Sequence, residues 1–163
     1  MVKSISGETQ GQGSSDEIKT ALQLKQAITR SISKVHTATR LRLNMKLSQA
    51  GIDITPDMYL ILRALWEKDN RSQQELADDV FKDKASLTKL VANLEKRRLV
   101  RRHTDAADRR SKIVALTSKG GRLKDKVYPI VQELIHSMEQ GFTAGELAHL
   151  QNMLESMYVR LKR

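Results

Sequence analysis

The chain has 163 residues, with 29 Lys and Arg against 19 Asp and Glu, a formal net charge of +10 and no cysteine. That length sustains a hydrophobic core without staples, and the lack of cysteine excludes disulfides, thiolate metal sites and cysteine-based redox sensing. No run of about 18 apolar residues occurs, so no membrane span is expected, and the basic excess points to a polyanionic partner.

Residues 1–15 are rich in Ser, Gly and Gln and lack the apolar stretch of a signal peptide, so a disordered tail is expected there. From about Asp16 to Gln49 apolar residues recur at broadly helical spacing, at Ile18, Leu22, Ile28, Ile32, Val35, Leu43 and Leu47. Gly51 is placed to end that helix. Thr55-Pro56 opens the next, a hydroxyl N-cap followed by proline at the first helical position. Met58, Ile61, Leu62 and Leu65 form its apolar face.

Ser72 and Glu75 have the spacing of a capping box, predicting a short helix over about Gln73 to Val80. After a turn at Phe81-Lys82, Asp83 is an N-cap for a helix to about Arg97, with Leu87, Leu90, Val91 and Leu94 as its buried stripe. Leu99–Arg102 and Lys112–Leu116 read as two strands of a basic hairpin, or wing. Thr117 or Ser118 then caps a long helix to about Gln140 that contains Pro129. A second capping box, Thr143 with Glu146, starts the last helix, striped by Leu147, Leu150, Leu154, Met157 and Leu161. Met45, Met58, Met138, Met153 and Met157 are read as core or interface fillers.

These elements predict a mainly α fold with a small β-hairpin wing. A winged helix-turn-helix domain over residues 50–117 is joined to N- and C-terminal dimerisation helices over 16–49 and 118–163. The end helices carry more apolar face than so small a domain can cover, which predicts a homodimer.

The charge is concentrated. Between residues 96 and 112, Lys96, Arg97, Arg98, Arg101, Arg102, Arg109, Arg110 and Lys112 face only Asp105 and Asp108. In the helix from Asp83, fixing Leu87 and Leu94 inward sets Ala85, Lys89, Ala92 and Lys96 at the centre of the outward face, flanked by Ser86, Thr88 and Asn93. Small residues admit the backbone to a major groove, hydroxyls and amides bond base edges, and lysines reach phosphate or guanine. At the wing tip, Asp108, Arg109 and Arg110 suit a narrow minor groove, and Asp108 is spaced to hold the Arg110 guanidinium by a charge-assisted bond.

Ile54-Thr55-Pro56, Glu75-Leu76-Ala77, Ser86-Leu87-Thr88, Leu94-Glu95 before Leu99-Val100, Asp108-Arg109-Arg110-Ser111 and Leu116-Thr117, in this order and spacing, resemble the MarR family of transcription regulators. The match runs from about Thr55 to Gly120. The resemblance implies a triangular homodimer, usually a repressor, on a pseudo-palindromic double-stranded DNA operator. By position it implies recognition-helix contacts near Lys84, Ser86, Thr88 and Lys89, and a wing arginine at Arg110 braced by Asp108. It also implies release from DNA by a small aromatic or phenolic effector. Asp105-Ala106-Ala107 departs from the proline many members carry there.

An enzyme is not expected. His36, His103, His136 and His149 are scattered, and no glycine-rich phosphate loop or nucleophile motif occurs. No cofactor or metal is expected; His103, Asp105 and Asp108 lie among arginines that oppose a cation. A cytoplasmic protein with no membrane partner is the expectation. The alternative on the residues alone is a winged helix that coats nucleic acid without regard to sequence or contacts other proteins.

Overall fold

The computed structural model describes residues 10–104 and 112–162, with side chains described from residue 27 onward. Two compact units divide between Leu41 and Arg42.

In the first unit the described residues all belong to helix α1 (Gln10–Gln49). Ile28, Ile32, Val35 and Leu41 are exposed, and the Thr39 hydroxyl donates to the Val35 carbonyl at 2.8 Å. The helix starts at Gln10, inside the stretch to residue 15 expected to be a disordered tail. Extending an existing helix adds one backbone hydrogen bond for each residue fixed, which carries it through weak helix formers.

The second unit holds the end of α1, then α2 (Pro56–Glu67), β1 (Arg71–Ser72), α3 (Gln73–Asp79), α4 (Lys84–Lys96), β2 (Val100–Thr104), β3 (Lys112–Leu116), α5 (Ser118–Glu139) and α6 (Ala144–Leu161). It begins at Arg42, and Leu43 and Leu47 of α1 are buried in its core. Val127, Val131 and Leu134 of α5 join that core too.

The core is built from the predicted stripes. Leu47, Ile61, Leu62, Leu65, Leu76, Leu87, Val91, Leu94, Val114 and Val127 are fully buried, each contributing about 1.5–3 kcal/mol of transfer free energy for the larger side chains. Of the methionines read as fillers, Met58 is buried in this core, whereas Met45, Met138, Met153 and Met157 are exposed.

The helix ends follow the local chemistry. Gly51, at φ +67°, closes α1 with paired bonds, its own N–H to Ser48 O at 3.0 Å and that of Ile52 to Leu47 O at 2.9 Å. Thr55 Oγ1 accepts from the Met58 amide at 3.2 Å, with Pro56 as the first helical residue. Both capping boxes form, Ser72 with Glu75 and Thr143 with Glu146, and Thr117 caps α5 through the Gly120 amide.

The expected hairpin is a three-stranded antiparallel sheet in the order β1-β3-β2. Val100 pairs with Leu116 and Thr104 with Lys112, while the additional strand pairs Arg71 with Val114 and Ser72 with Ile113. Two residues are too few to show an alternating pattern, and Ser72 is also the α3 cap. The Asp69 carboxylate accepts from the Leu116 amide at 2.9 Å, which holds the approach to β1 against β3.

Candidate nucleic-acid interface

Two caps and one turn set the geometry of α3 and α4. Ser72 Oγ accepts from the Glu75 amide at 3.1 Å while Glu75 accepts from the Ser72 amide at 2.8 Å. The Ser72 amide and hydroxyl thereby hold the Glu75 carboxyl below its ordinary value. Arg71 ties the other end of α3 through Asp79 at 2.7 Å. Phe81 takes a left-handed conformation, φ +54°, which lets the chain reverse between the helices. Lys82 secures this turn to α2 through Asp57 at 3.0 Å.

Asp83 then caps α4, accepting from the Ser86 amide at 2.8 Å. The Ser86 hydroxyl, followed by its amide, lowers the Asp83 carboxyl from its ordinary value. This cap stays ionised at neutral pH and faces the positive end of the α4 dipole.

On α4, Lys84, Ala85, Lys89 and Lys96 are exposed, and Ser86, Thr88, Ala92 and Asn93 are partly buried. Leu87, Val91 and Leu94 point into the core. Four of these positions lie on one outward face with short side chains between lysines. Thr88 has a structural task as well. Its hydroxyl donates to Lys84 O at 2.7 Å and accepts from Gln73 Nε2 at 3.2 Å, so its one proton is committed and it binds α3 to α4. Ser86 is likewise bonded to the Asp83 cap.

In the wing, Arg101, Arg102, His103, Thr104 and Lys112 lie on the exposed part of the β2–β3 pair, and Lys112 Nζ donates to Thr104 Oγ1 at 2.8 Å. Residues 105–111, with Asp105, Asp108, Arg109 and Arg110 among them, lie outside the described residues. Among the described residues, no group of three or more His, Cys, Asp or Glu could hold a metal ion, and no helix is long and apolar enough to cross a membrane.

The basic cluster is not uniformly available to a partner. Arg97 donates from Nε to Asp53 O at 2.8 Å, from Nη2 to Asp53 Oδ1 at 3.0 Å and from Nη1 to Asn93 O at 3.1 Å. Arg102 is held by Glu95. Arg98 closes α4 at φ +58°, its amide on Glu95 O at 2.8 Å and that of Leu99 on Leu94 O at 3.0 Å. Lys96 and Arg101 are exposed. The sequence reading missed Gln73, Asp53 and Glu95 as organisers of this surface. Their partners lie 15, 44 and 7 residues away, separations that leave no local spacing to recognise.

A capped short helix, a left-handed turn, a second helix with an outward lysine face and a following sheet define a winged helix-turn-helix protein. Residues 54–112 match the sequence model of the MarR family. Over 110 residues the chain is 30% identical to the HTH-type transcriptional regulator YsmB of Bacillus subtilis, covering 68% of this chain and 75% of that protein. The chain belongs to the MarR family, a family of transcriptional regulators and not of enzymes. It is also 37% identical over 78 residues to the transcriptional regulator HosA of Escherichia coli O157:H7, covering 48% of this chain and 58% of HosA. A cysteine-to-serine variant of MarR from E. coli, solved in complex with operator DNA, superposes with a TM-score of 0.74 at 26% identity over 80% of this chain and 93% of that one.

Proposed function

We propose that the protein is a sequence-specific double-stranded DNA-binding transcription regulator, acting in the cytoplasm as a homodimeric repressor on a pseudo-palindromic operator. The observation that carries this is the outward face of α4, where exposed Ala85, Lys89 and Lys96 lie opposite the fully buried Leu87 and Leu94. Such a face admits the helix to a major groove and supplies cations for phosphate. Lys84, Ser86, Thr88, Lys89 and Asn93 are the recognition-helix contacts in this reading, and Asp108, Arg109, Arg110 and Lys112 those of the wing. The relation to MarR, solved with operator DNA, supports the same assignment.

The homodimer rests on apolar side chains that a single chain leaves exposed, Ile135, Met138 and Phe142 in and after α5 and Leu150, Met153, Leu154 and Met157 in α6. No residue of α6 is buried. A helix with an apolar stripe and no core to face is completed by a second copy. The dimerisation helices are taken as the segments 16–49 and 118–163, flanking a reading domain over 50–117. A small aromatic or phenolic effector, implied by the family resemblance, releases the dimer from its operator.

Selection of bound duplexes from a random-sequence pool tests the reading. It predicts two inverted half-sites centred about one helical turn apart, or a multiple of it. A pool that emerges without enrichment would refute sequence-specific regulation and favour sequence-blind coating or a protein-binding module.

A further inference from the structure

We infer that Glu95 and Arg102 are positioning residues that fix the wing against α4, and that Arg102 serves DNA recognition through this pair rather than by holding a phosphate. The inference rests on the reading of α4 and the wing as the DNA-contacting elements.

Glu95 lies in the last turn of α4 and Arg102 in the middle of β2. One carboxylate joins them through both of its oxygens. Oε1 accepts from the backbone amide of Arg102 at 2.9 Å, and Oε2 accepts from its Nε at 2.8 Å and pairs with its Nη2. Both side chains are partly covered, with relative exposures of 27% for Glu95 and 32% for Arg102. A carboxylate that takes the strand's amide on one oxygen and the charged guanidinium on the other fixes direction as well as distance.

The backbone bond makes the contact specific to register. A slip of β2 by one residue would present the Glu95 carboxylate with an amide on the other side of the strand and reverse the side chains. The helix side of the joint is itself anchored. Arg97, two residues on, is bonded to Asp53, and Lys119 Nζ donates to Arg97 O at 3.0 Å. The last turn of α4 is therefore a fixed base, and Glu95 transmits its position to the strand that leads into the wing.

Charge reasoning alone leads to the opposite expectation. Glu95 neutralises a cation beside a surface that binds a polyanion, so removing it should strengthen binding to any duplex. A positioning role predicts weaker binding to the preferred sequence only, because the misplaced wing loses register with α4 while the phosphate-binding charge is kept.

The test uses the full chain with a duplex selected by the wild-type protein and a scrambled duplex of the same length. Glu95→Ala is expected to lower affinity for the selected duplex roughly ten-fold and leave affinity for the scrambled one unchanged or raised. Arg102→Ala is expected to show the same loss on the selected duplex, and the double variant to be no worse than either single one. Glu95→Gln keeps an acceptor for the Arg102 amide, so partial recovery of discrimination is expected, and it serves also if the alanine variant folds poorly. Variants that bind the selected duplex as tightly as wild type, or single losses that multiply in the double variant, would overturn the inference. A wild-type protein that does not discriminate between duplexes overturns the reading of the interface, and this inference with it; discrimination that survives every substitution overturns this inference alone.

Discussion

Gly120→Ala is expected to destabilise the protein where the general rule for helices predicts a gain. Gly120 lies in the first turn of α5, and an ideal Cβ there would sit 1.9 Å from the Leu99 carbonyl oxygen, 2.9 Å from its carbon and 3.3 Å from Leu116 Cδ2. The first atom is backbone and cannot rotate away. The Leu99 oxygen also accepts the Thr117 amide at 3.0 Å, and the Gly120 carbonyl accepts the Trp66 indole N–H at 3.0 Å. Separating α5 from Leu99 by more than 1 Å, roughly what van der Waals contact requires, therefore strains two hydrogen bonds together with the packing. Overpacking costs about 1–3 kcal/mol, each weakened bond about 1 kcal/mol, and relief of glycine's poor helix propensity returns about 1 kcal/mol. The net is a loss of about 2–4 kcal/mol, or a fall in Tm of roughly 4–16 °C for a chain of this size. Gly121 is the internal control, with nothing within 4 Å of its Cβ position; Gly121→Ala should stabilise by about 0.5–1 kcal/mol. Thermal unfolding at equal protein concentration reads both. Equal effects of the two substitutions would refute the close approach of α5 to Leu99.

Other outcomes follow from the caps, the lysine face and the exposed helices. The Glu75 carboxyl is lowered in the folded chain by its bonds to Ser72, so its contribution is present above the ordinary carboxylate value and lost as pH falls through the lowered one. Urea midpoints of wild type and Glu75→Gln should accordingly differ at pH 6 and converge toward pH 3; a constant difference would contradict the capping box as its source. Lys89→Ala should weaken binding to all duplexes alike and reduce the salt slope by about 1, whereas Arg110→Ala should cost about 1–3 kcal/mol on the preferred duplex. Titrations in which Lys89→Ala changes sequence preference but not the salt slope would remove Lys89 from the phosphate contacts. Sedimentation at micromolar concentration should give a dimer, and Leu154→Glu in α6 a monomer; a monomeric wild type would leave the exposed α6 stripe without its partner.

Much of the second unit was legible because its helix boundaries are set by short-range chemistry. Thr55-Pro56, the two capping boxes, Asp83 and Thr117 each act within three residues, and each forms as its spacing predicts. The inward stripe of α4 was legible for a similar reason, since a 3.6-residue period identifies both the buried face and its opposite. What escaped was set by tertiary contact. β1 exists only because β3 passes beside it, and Gly120 appears ordinary until Leu99 is brought against it. The charge pattern could not separate Lys96 and Arg101 from Arg97 and Arg102, whose guanidinium groups are paired with Asp53 and Glu95. Thr88 shows the same limit at one residue: its type suits a base edge, but its proton is committed to Lys84.

The central claim is that this surface reads DNA sequence, and equilibrium titration of the full chain against a selected and a scrambled duplex tests it most directly. At one fixed salt concentration near physiological strength, the account predicts an affinity ratio of about 10³ or more in favour of the selected duplex, with both affinities falling steeply as salt rises. Equal affinity for the two duplexes across the salt series would contradict it.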